Sequence, residues 1–158
     1  MTHPTTRVFR PAKGKKRLTS RPTGIFARLG LGGASIREDL VAESRQGFPV
    51  TVIDALTEEL DISQQVLLQI IALPTATLTR RRAQKRLTPQ ESDRVYRVAS
   101  VYRAALQLFE GDADAARHWL IEPAKALGGH PPLQHLDTEA GADEVQDLIG
   151  RLEHGVIT

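Results

Sequence analysis

From residue 51 onward, apolar residues recur mostly at the spacing of α-helices. Val52, Ile53, Leu56 and Leu60 fall at i, i+1, i+4 and i+8, which places them on one helix face. No segment has the pattern of a convincing strand, and no internal repeat is present. The sequence therefore predicts an all-α protein, with helices over 36–46, 51–60, 63–71, 76–86, 89–109 and 113–120 and a last one between Thr138 and Gly155.

Capping residues mark several helix starts. Thr88-Pro89-Gln90-Glu91 combines a Thr at the N-cap, a Pro at the first helical position and a Glu at the third, which is a capping box. Side chains that accept hydrogen bonds from the first turn are favoured at the other starts as well. We expect such caps at Asp61 or Ser63, at Thr75, at Asp112 and at Asp137 or Thr138.

The N-terminal region differs in composition from the rest. The first 36 residues contain no Asp or Glu but eight Lys and Arg, mixed with Thr, Pro and Gly. Apolar residues show no sustained period there, so residues 1–35 are predicted to form a flexible basic arm. Two interpretations stay open: a solvated tail without a role, or an arm that contacts DNA phosphates or is sensitive to proteases.

Charge is distributed unevenly along the chain. The net charge is only +2, yet residues 1–50 carry a balance of +7 and residues 101–158 a balance of −6. A basic front attracts polyanions, whereas an acidic rear suits a basic protein surface. The chain has no cysteine, which excludes disulfides and thiolate metal sites and fits a cytoplasmic protein. No apolar run is long enough to cross a membrane, and no secretory signal is present.

Residues 63–84 have the layout of a helix-turn-helix. Leu67, Leu73 and Leu78 stand where the two helices lock together, and Ala72 occupies the tight turn where Gly is common. In DNA-binding versions the second helix enters the major groove, where Arg reads guanine and Gln reads adenine. The residues predicted to contact DNA are Thr75, Thr77, Arg80, Arg81, Arg82, Gln84 and Lys85.

The three consecutive arginines have a second interpretation. Arg80, Arg81 and Arg82 span about 200° of a helix, so they do not all face one groove. They are alternatively a solvated face or members of intramolecular salt bridges. Helix-turn-helix units also serve purely as protein-interaction domains.

The C-terminal third carries a longer ordered motif. It reads Phe109-Glu-Gly-Asp-Ala-Asp-Ala-Ala-Arg-His-Trp-Leu120, followed by Pro123, Leu127-Gly-Gly, Leu136-Asp-Thr-Glu-Ala-Gly and Leu148-Ile-Gly-Arg-Leu-Glu-His-Gly155. This set resembles the toxin-binding domain of the Xre/MbcA/ParS antitoxin family. Upstream, Thr77-Leu-Thr-Arg-Arg-Arg82 and Leu87-Thr-Pro-Gln-Glu-Ser-Asp-Arg94 are similar to the helix-turn-helix region of that family. The resemblance covers roughly residues 47–158.

This resemblance implies a domain organisation and a function. It implies a helix-turn-helix domain over 36–100, packed on a small helical toxin-binding domain over 101–158. Members of the family neutralise RES-domain toxins, which resemble ADP-ribosyltransferases and act on NAD. They are generally homodimers, and many bind the operator DNA of their own operon. The C-terminal region is expected to block the NAD pocket of the toxin.

Seven residues are the candidates for toxin contact. Trp119 suits a core position, with an interface position as the alternative, and Arg117 beside it is either a structural pair or a contact. The chain end is expected to enter the toxin cleft, with docking on its own core as the alternative. The full set is Arg117, Trp119, Arg151, Glu153, His154, Val156 and Ile157.

Two other functions compete with this one. A stand-alone repressor without a toxin partner is disfavoured by the acidic rear. An enzyme is disfavoured because the five histidines lack metal-ligand companions, and no phosphate loop, nucleophile elbow or carboxylate pair is present. We therefore expect no catalytic residue, metal, cofactor, small-molecule substrate or membrane contact.

Overall fold

The computed structural model describes residues 24–31 and 37–155 of the 158. The fold is all-α, as predicted, and no strand occurs in these ranges beyond two isolated bridges, Pro49 to Arg86 and Ala124 to His130. The helices are α1 (Ile25–Arg28), α2 (Arg37–Gln46), α3 (Val52–Leu60), α4 (Gln64–Ile70), α5 (Thr75–Gln84), α6 (Pro89–Leu108), α7 (Ala113–Ile121) and α8 (Glu139–Glu153). Two 3₁₀ turns, Lys125–Leu127 and Pro132–Asp137, lie between α7 and α8.

Four of the predicted N-caps are confirmed by hydrogen bonds. The side-chain oxygens of Ser63, Thr88, Asp112 and Thr138 accept from backbone N–H groups three residues further on. At Thr88 the capping box is complete, because the Glu91 carboxylate accepts in turn from the Thr88 N–H at 2.8 Å. These short local motifs act within one turn, which is why the sequence reveals them.

The cap predicted at Thr75 is wrong, and of the two pairs of alternatives only Ser63 and Thr138 act as caps. Thr75 is not the N-cap of α5: Pro74, in an extended conformation, takes that position, and Thr75 is the first helical residue. The Pro ring fixes φ at a value that the N-cap position allows. Pro also has no backbone N–H that would need a hydrogen-bond partner there. Asp61 does not cap α4 but ends α3 in the left-handed conformation, with φ of 53°.

The predicted flexible arm is wrong for residues 24–31. Ile25, Phe26, Leu29 and Leu31 are buried in the hydrophobic core. The Phe26 ring stacks on Tyr96 of α6 with centroids 5.3 Å apart. These four residues form a cluster that is too short to show a helical period in the sequence. Packing on α6 holds it in place. Residues 1–23 and 32–36, the rest of the predicted arm, lie outside the described residues.

Helix α6 joins the two halves of the fold. It has 20 residues and a length of about 30 Å. The apolar period of α6 predicts that Val95, Val98, Tyr102, Ala105 and Leu106 face inward. The first four are buried, and Leu106 is partly buried against the core. Along its length α6 packs against α1, α2 and α3 and against α7 and α8. Both halves therefore share one core rather than meeting at a separate interface.

An ion pair fixes α5 against the start of α6. Arg81 Nε donates to both carboxylate oxygens of Glu91, at 3.1 and 2.9 Å, and the two side chains are only 14% and 9% exposed. Burial alone would raise the pKa of Glu91. The hydrogen bonds from Arg81 and Thr88 outweigh that effect and hold the pKa below its ordinary value.

Helix α8 approaches the second 3₁₀ turn very closely at Gly141. A Cβ added at Gly141 would overlap the backbone carbonyl oxygen of His135. At Gly150, further along the same helix, an added Cβ meets no atom within 4 Å. The two glycines therefore differ in function: Gly141 permits packing, whereas Gly150 has no packing requirement for glycine.

Gly141→Ala is expected to lower the free energy of unfolding by about 2 kcal/mol, because α8 and the 3₁₀ turn must separate. Gly150→Ala is the matched control and is expected to raise it by about 0.5–1 kcal/mol, since Ala is the better helix former. Denaturant unfolding followed by circular dichroism measures both. Equal effects of the two substitutions would contradict the close approach.

Glu91→Gln is expected to lower the free energy of unfolding at pH 7 by about 1–2 kcal/mol, because the ion pair loses its charge. Since the folded-state pKa of Glu91 is depressed, its contribution is complete above the ordinary Glu pKa of about 4.3 and is lost as pH falls through the folded value. The melting temperatures of wild type and variant should therefore converge as the pH is lowered below about 5. The control is Asp93→Asn, an exposed charge on the same helix, for which a similar pH-dependent gap would contradict the assignment.

Candidate functional site

Helices α4 and α5 form the predicted helix-turn-helix. Leu67, Leu73 and Leu78, the residues expected to lock it, are buried with 3% exposure or less. Ala72 lies in the turn with φ of 51°, the left-handed region that favours glycine. Alanine adopts this conformation at a modest cost, and the Leu73 N–H donates to the Leu68 carbonyl across the turn at 2.9 Å. The turn is therefore formed with Ala in the position where Gly is common.

The outward face of α5 carries one long charged side chain among small ones. Arg80 follows the buried Leu78 by two residues, which places it about 200° around the helix. Arg80 is exposed and has no ion pair or side-chain hydrogen bond with another described residue. Ala76, Thr79 and Ala83 share this face and are exposed. A helix with such small residues can approach a groove floor closely.

The other two arginines have partners within the chain. Arg81 is held by Glu91, as described above. Arg82 reaches Asp54 of α3, with its two terminal nitrogens 3.2 and 3.4 Å from the carboxylate oxygens, although both side chains are about half exposed. The geometry therefore favours the salt-bridge interpretation for Arg81 and Arg82, and it leaves Arg80 as the one of the three without a partner among the described residues.

The remaining predicted DNA contacts are spread over the ends of α5. Thr75 is exposed at the first turn, and Thr77 is half-buried. Gln84 is exposed at the last position, and Lys85 follows in the left-handed conformation with φ of 66°, which ends the helix two residues before the predicted end. Thr79 is not among the predicted contacts. It lies between the buried Leu78 and the outward Arg80 around the helix, so the sequence already places it beside the outward face.

Arg117 and Trp119 of α7 face the fold rather than solvent. Arg117 Nε donates to the Glu59 carbonyl at the end of α3 at 2.6 Å, and another of its nitrogens reaches Asp114 at 3.2 Å. Trp119 is half-buried against the core, with its ring 6.4 Å from that of Phe109. The geometry thus favours a structural pair for Arg117 and a core position for Trp119.

The C-terminal end of α8 is exposed. Arg151, Glu153 and His154 all lie at the surface, and no described residue pairs with their side chains. Leu152 is 38% exposed beside them, although it stands at helical spacing from the buried Val145, Leu148 and Ile149. Val156 and Ile157, the last two predicted contacts, lie outside the described residues.

An apolar groove that the sequence did not indicate runs between α4 and the end of α7. It has a volume of about 530 Å³, and the exposed Val66 and Ile121 flank it, with Ile121 53% exposed. Ile70 and Leu133 line it, and Asp137 gives it an acidic edge. Val66 and Ile121 belong to different helices, so no period in the sequence relates them.

Two kinds of feature are absent from the described ranges. Among these residues, no group of three or more His, Asp or Glu side chains is arranged to hold a metal ion. None of the helices there is both long and apolar enough to cross a membrane.

Comparison with known proteins agrees with this arrangement. Residues 104–155 match the family model described as the antitoxin Xre/MbcA/ParS C-terminal toxin-binding domain, and residues 39–100 match the antitoxin Xre-like helix-turn-helix domain. The boundary between the two matches falls inside α6, the helix that joins the halves.

Similar whole proteins carry antitoxin names. An "Antitoxin Xre" of Yersinia enterocolitica is 45% identical over 88% of this chain and 94% of its own length. One of Photorhabdus laumondii is 34% identical over 96% of this chain and 99% of its own length. A Sphingobium protein named "Prs ADP-ribosylating antitoxin" is 26% identical over 90% and 94%. With both domains matched in order and relatives similar over nearly their whole length, this chain belongs to the Xre/MbcA/ParS antitoxin family.

Proposed function

We propose that this protein is the antitoxin of a type II toxin–antitoxin pair that binds and inhibits a RES-domain toxin through the exposed end of α8. The observation that carries the proposal is the set of exposed polar side chains there, which have no partner among the described residues, on a domain that matches the toxin-binding family. Arg151, Glu153 and His154 would meet toxin groups that otherwise bind NAD, and Val156 and Ile157 would follow them into the cleft. The protein acts by binding and carries out no reaction of its own.

Charge and similarity support a toxin of this class. The balance of −6 over residues 101–158 suits a basic partner surface. One relative, from Sphingobium, bears a name that refers to ADP-ribosylation. Arg117 and Trp119 contribute by holding α7 on α3 and on the core, so their effect on toxin binding is indirect.

We further propose that α5 binds the operator DNA of the antitoxin's own operon and that the protein does so as a homodimer. Arg80 would contact base edges from the centre of the outward face, because it is exposed and unpaired while small residues surround it. Thr75 and Lys85, at the two ends of α5, would contact phosphates. Arg82 and Arg81 serve chiefly to hold α5 on α3 and α6.

The proposed division of labour follows these surfaces. Residues 36–100 would bind DNA and form the dimer, and residues 101–158 would bind toxin. Of the two interpretations of the basic arm, we favour the one in which residues 1–23 would strengthen DNA binding through phosphates. Residues 24–31 attach this arm to α6.

Deletion of residues 151–158 is expected to weaken inhibition of the cognate toxin at least about tenfold, because the residues that enter the cleft are lost. The measurement is NAD consumption by the toxin encoded beside the antitoxin gene, titrated with full-length or truncated protein. Asp143→Ala, which removes an exposed charge from the same helix away from its end, is the matched control and should inhibit like wild type.

Two outcomes of that titration would contradict the proposal at different levels. Full inhibition by the truncated protein would exclude insertion of the chain end. No inhibition by the full-length protein, together with retained operator binding, would leave a stand-alone repressor instead of an antitoxin.

Arg80→Ala is expected to weaken operator binding about 5- to 100-fold, the range for loss of one good base contact. Arg82→Ala removes the same charge from the same helix, but this exposed side chain is already paired with Asp54. Its effect on operator binding should therefore stay within about threefold. Gel-shift titrations of both variants at several salt concentrations test this. Equal losses for both variants would indicate that overall charge, not Arg80, determines binding.

A further inference from the structure

Arg81 and Gln84 stand three residues apart on α5, the spacing at which helical side chains meet. One terminal nitrogen of Arg81 donates to Gln84 Oε1 at 3.0 Å. A guanidinium has only donors, so the atom of the Gln84 amide that faces it must be the oxygen. The assignment of the two amide atoms therefore follows from chemistry rather than from their shape.

The Arg81 side chain is itself fixed. Its Nε donates to both oxygens of the Glu91 carboxylate, and Glu91 accepts in addition from the Thr88 N–H at the start of α6. Glu91 is buried, and the side chain of Arg81 is mostly so. Glu91, Arg81 and Gln84 thus form a relay of hydrogen bonds that begins in the buried capping box and ends on the exposed amide.

This relay determines which hydrogen-bonding group Gln84 offers to a partner. With Oε1 directed to Arg81, the Nε2 amide group points away from it, and Gln84 is exposed. A glutamine that reads adenine turns both its oxygen and its nitrogen to the base, to meet N6 and N7. Arg81 occupies one lone pair of Oε1 and fixes where that oxygen points, so the Nε2 donors are the hydrogen-bonding atoms of Gln84 left without a partner among the described residues. Guanine, which exposes the two acceptors N7 and O6 in the major groove, is the base that matches donors.

We propose that Gln84 reads guanine, and not adenine, because Arg81 and Glu91 hold its amide as a hydrogen-bond donor. This inference rests on the proposed DNA binding by α5. It revises the adenine contact expected of a glutamine from the sequence. Arg80 lies four residues before Gln84 and is also a donor, so the two side chains would read neighbouring guanines.

The test is selection of binding sites from a random-sequence duplex library with the full chain. Wild type is expected to prefer guanine about tenfold over adenine at one base-pair position, and Gln84→Ala should remove the preference there alone. Gln84→Lys, a donor-only side chain at an exposed position, should retain it. A wild-type preference for adenine that Gln84→Lys changes to guanine would overturn the inference, as would an unchanged preference in Gln84→Ala.

A second variant tests the relay. Arg81→Met combined with Glu91→Gln removes both charges together and keeps an acceptor for the Thr88 N–H. The freed Gln84 amide should then accept adenine and guanine within about twofold of each other, and an unchanged tenfold preference would contradict the relay. If this variant does not fold, as judged by thermal unfolding, the Gln84→Lys result still decides the inference.

The outcome also separates this inference from the proposed function. If wild type enriches no sequence, or if Arg80→Ala selects the same sites with the same affinity, DNA reading by α5 is wrong and the inference falls with it. If wild type enriches a site that depends on Arg80 but shows adenine at the Gln84 position, only the inference is wrong.

Discussion

The structure depends on burial of the long helix α6 along its whole length. Val95, Val98 and Tyr102 are inaccessible to solvent, and helices from both halves of the chain cover them. Aliphatic burial is the main favourable contribution here, since aromatics make up only 4% of the residues. Because α6 belongs to both halves, it holds α5, near its start, in a fixed position relative to α7 and α8. No large separate interface between the halves is needed.

Polar interactions then orient the surfaces that this core carries. Glu91 sits at the first turn of α6 and fixes Arg81, which places α5 and directs Gln84. At the other end, Arg117 ties α7 to the end of α3 through the Glu59 carbonyl. Each of these charged groups is satisfied within the fold, whereas Arg80 on α5 and Arg151 and Glu153 at the end of α8 have no partner among the described residues.

Local sequence determined a large part of this arrangement. The capping box at Thr88 and the caps at Ser63, Asp112 and Thr138 act over three or four residues, so their patterns are visible in the chain and the helix starts follow from them. The stripe through Val95, Val98 and Tyr102 likewise reports its buried face through its period. The ordered motif over residues 109–155 indicates the family by residue order alone, without reference to packing.

Tertiary structure alone decided the rest, because the partners involved are distant in sequence or lack a period. Phe26 looks like part of a flexible arm in the sequence, since the ring on which it stacks belongs to Tyr96, seventy residues away. Arg80, Arg81 and Arg82 are alike in sequence. Their different roles follow from Glu91 and Asp54, which lie 10 and 28 residues from their partners. The sequence by itself determined most of the helices and the family, whereas packing decided which of the three arginines is left without a partner among the described residues.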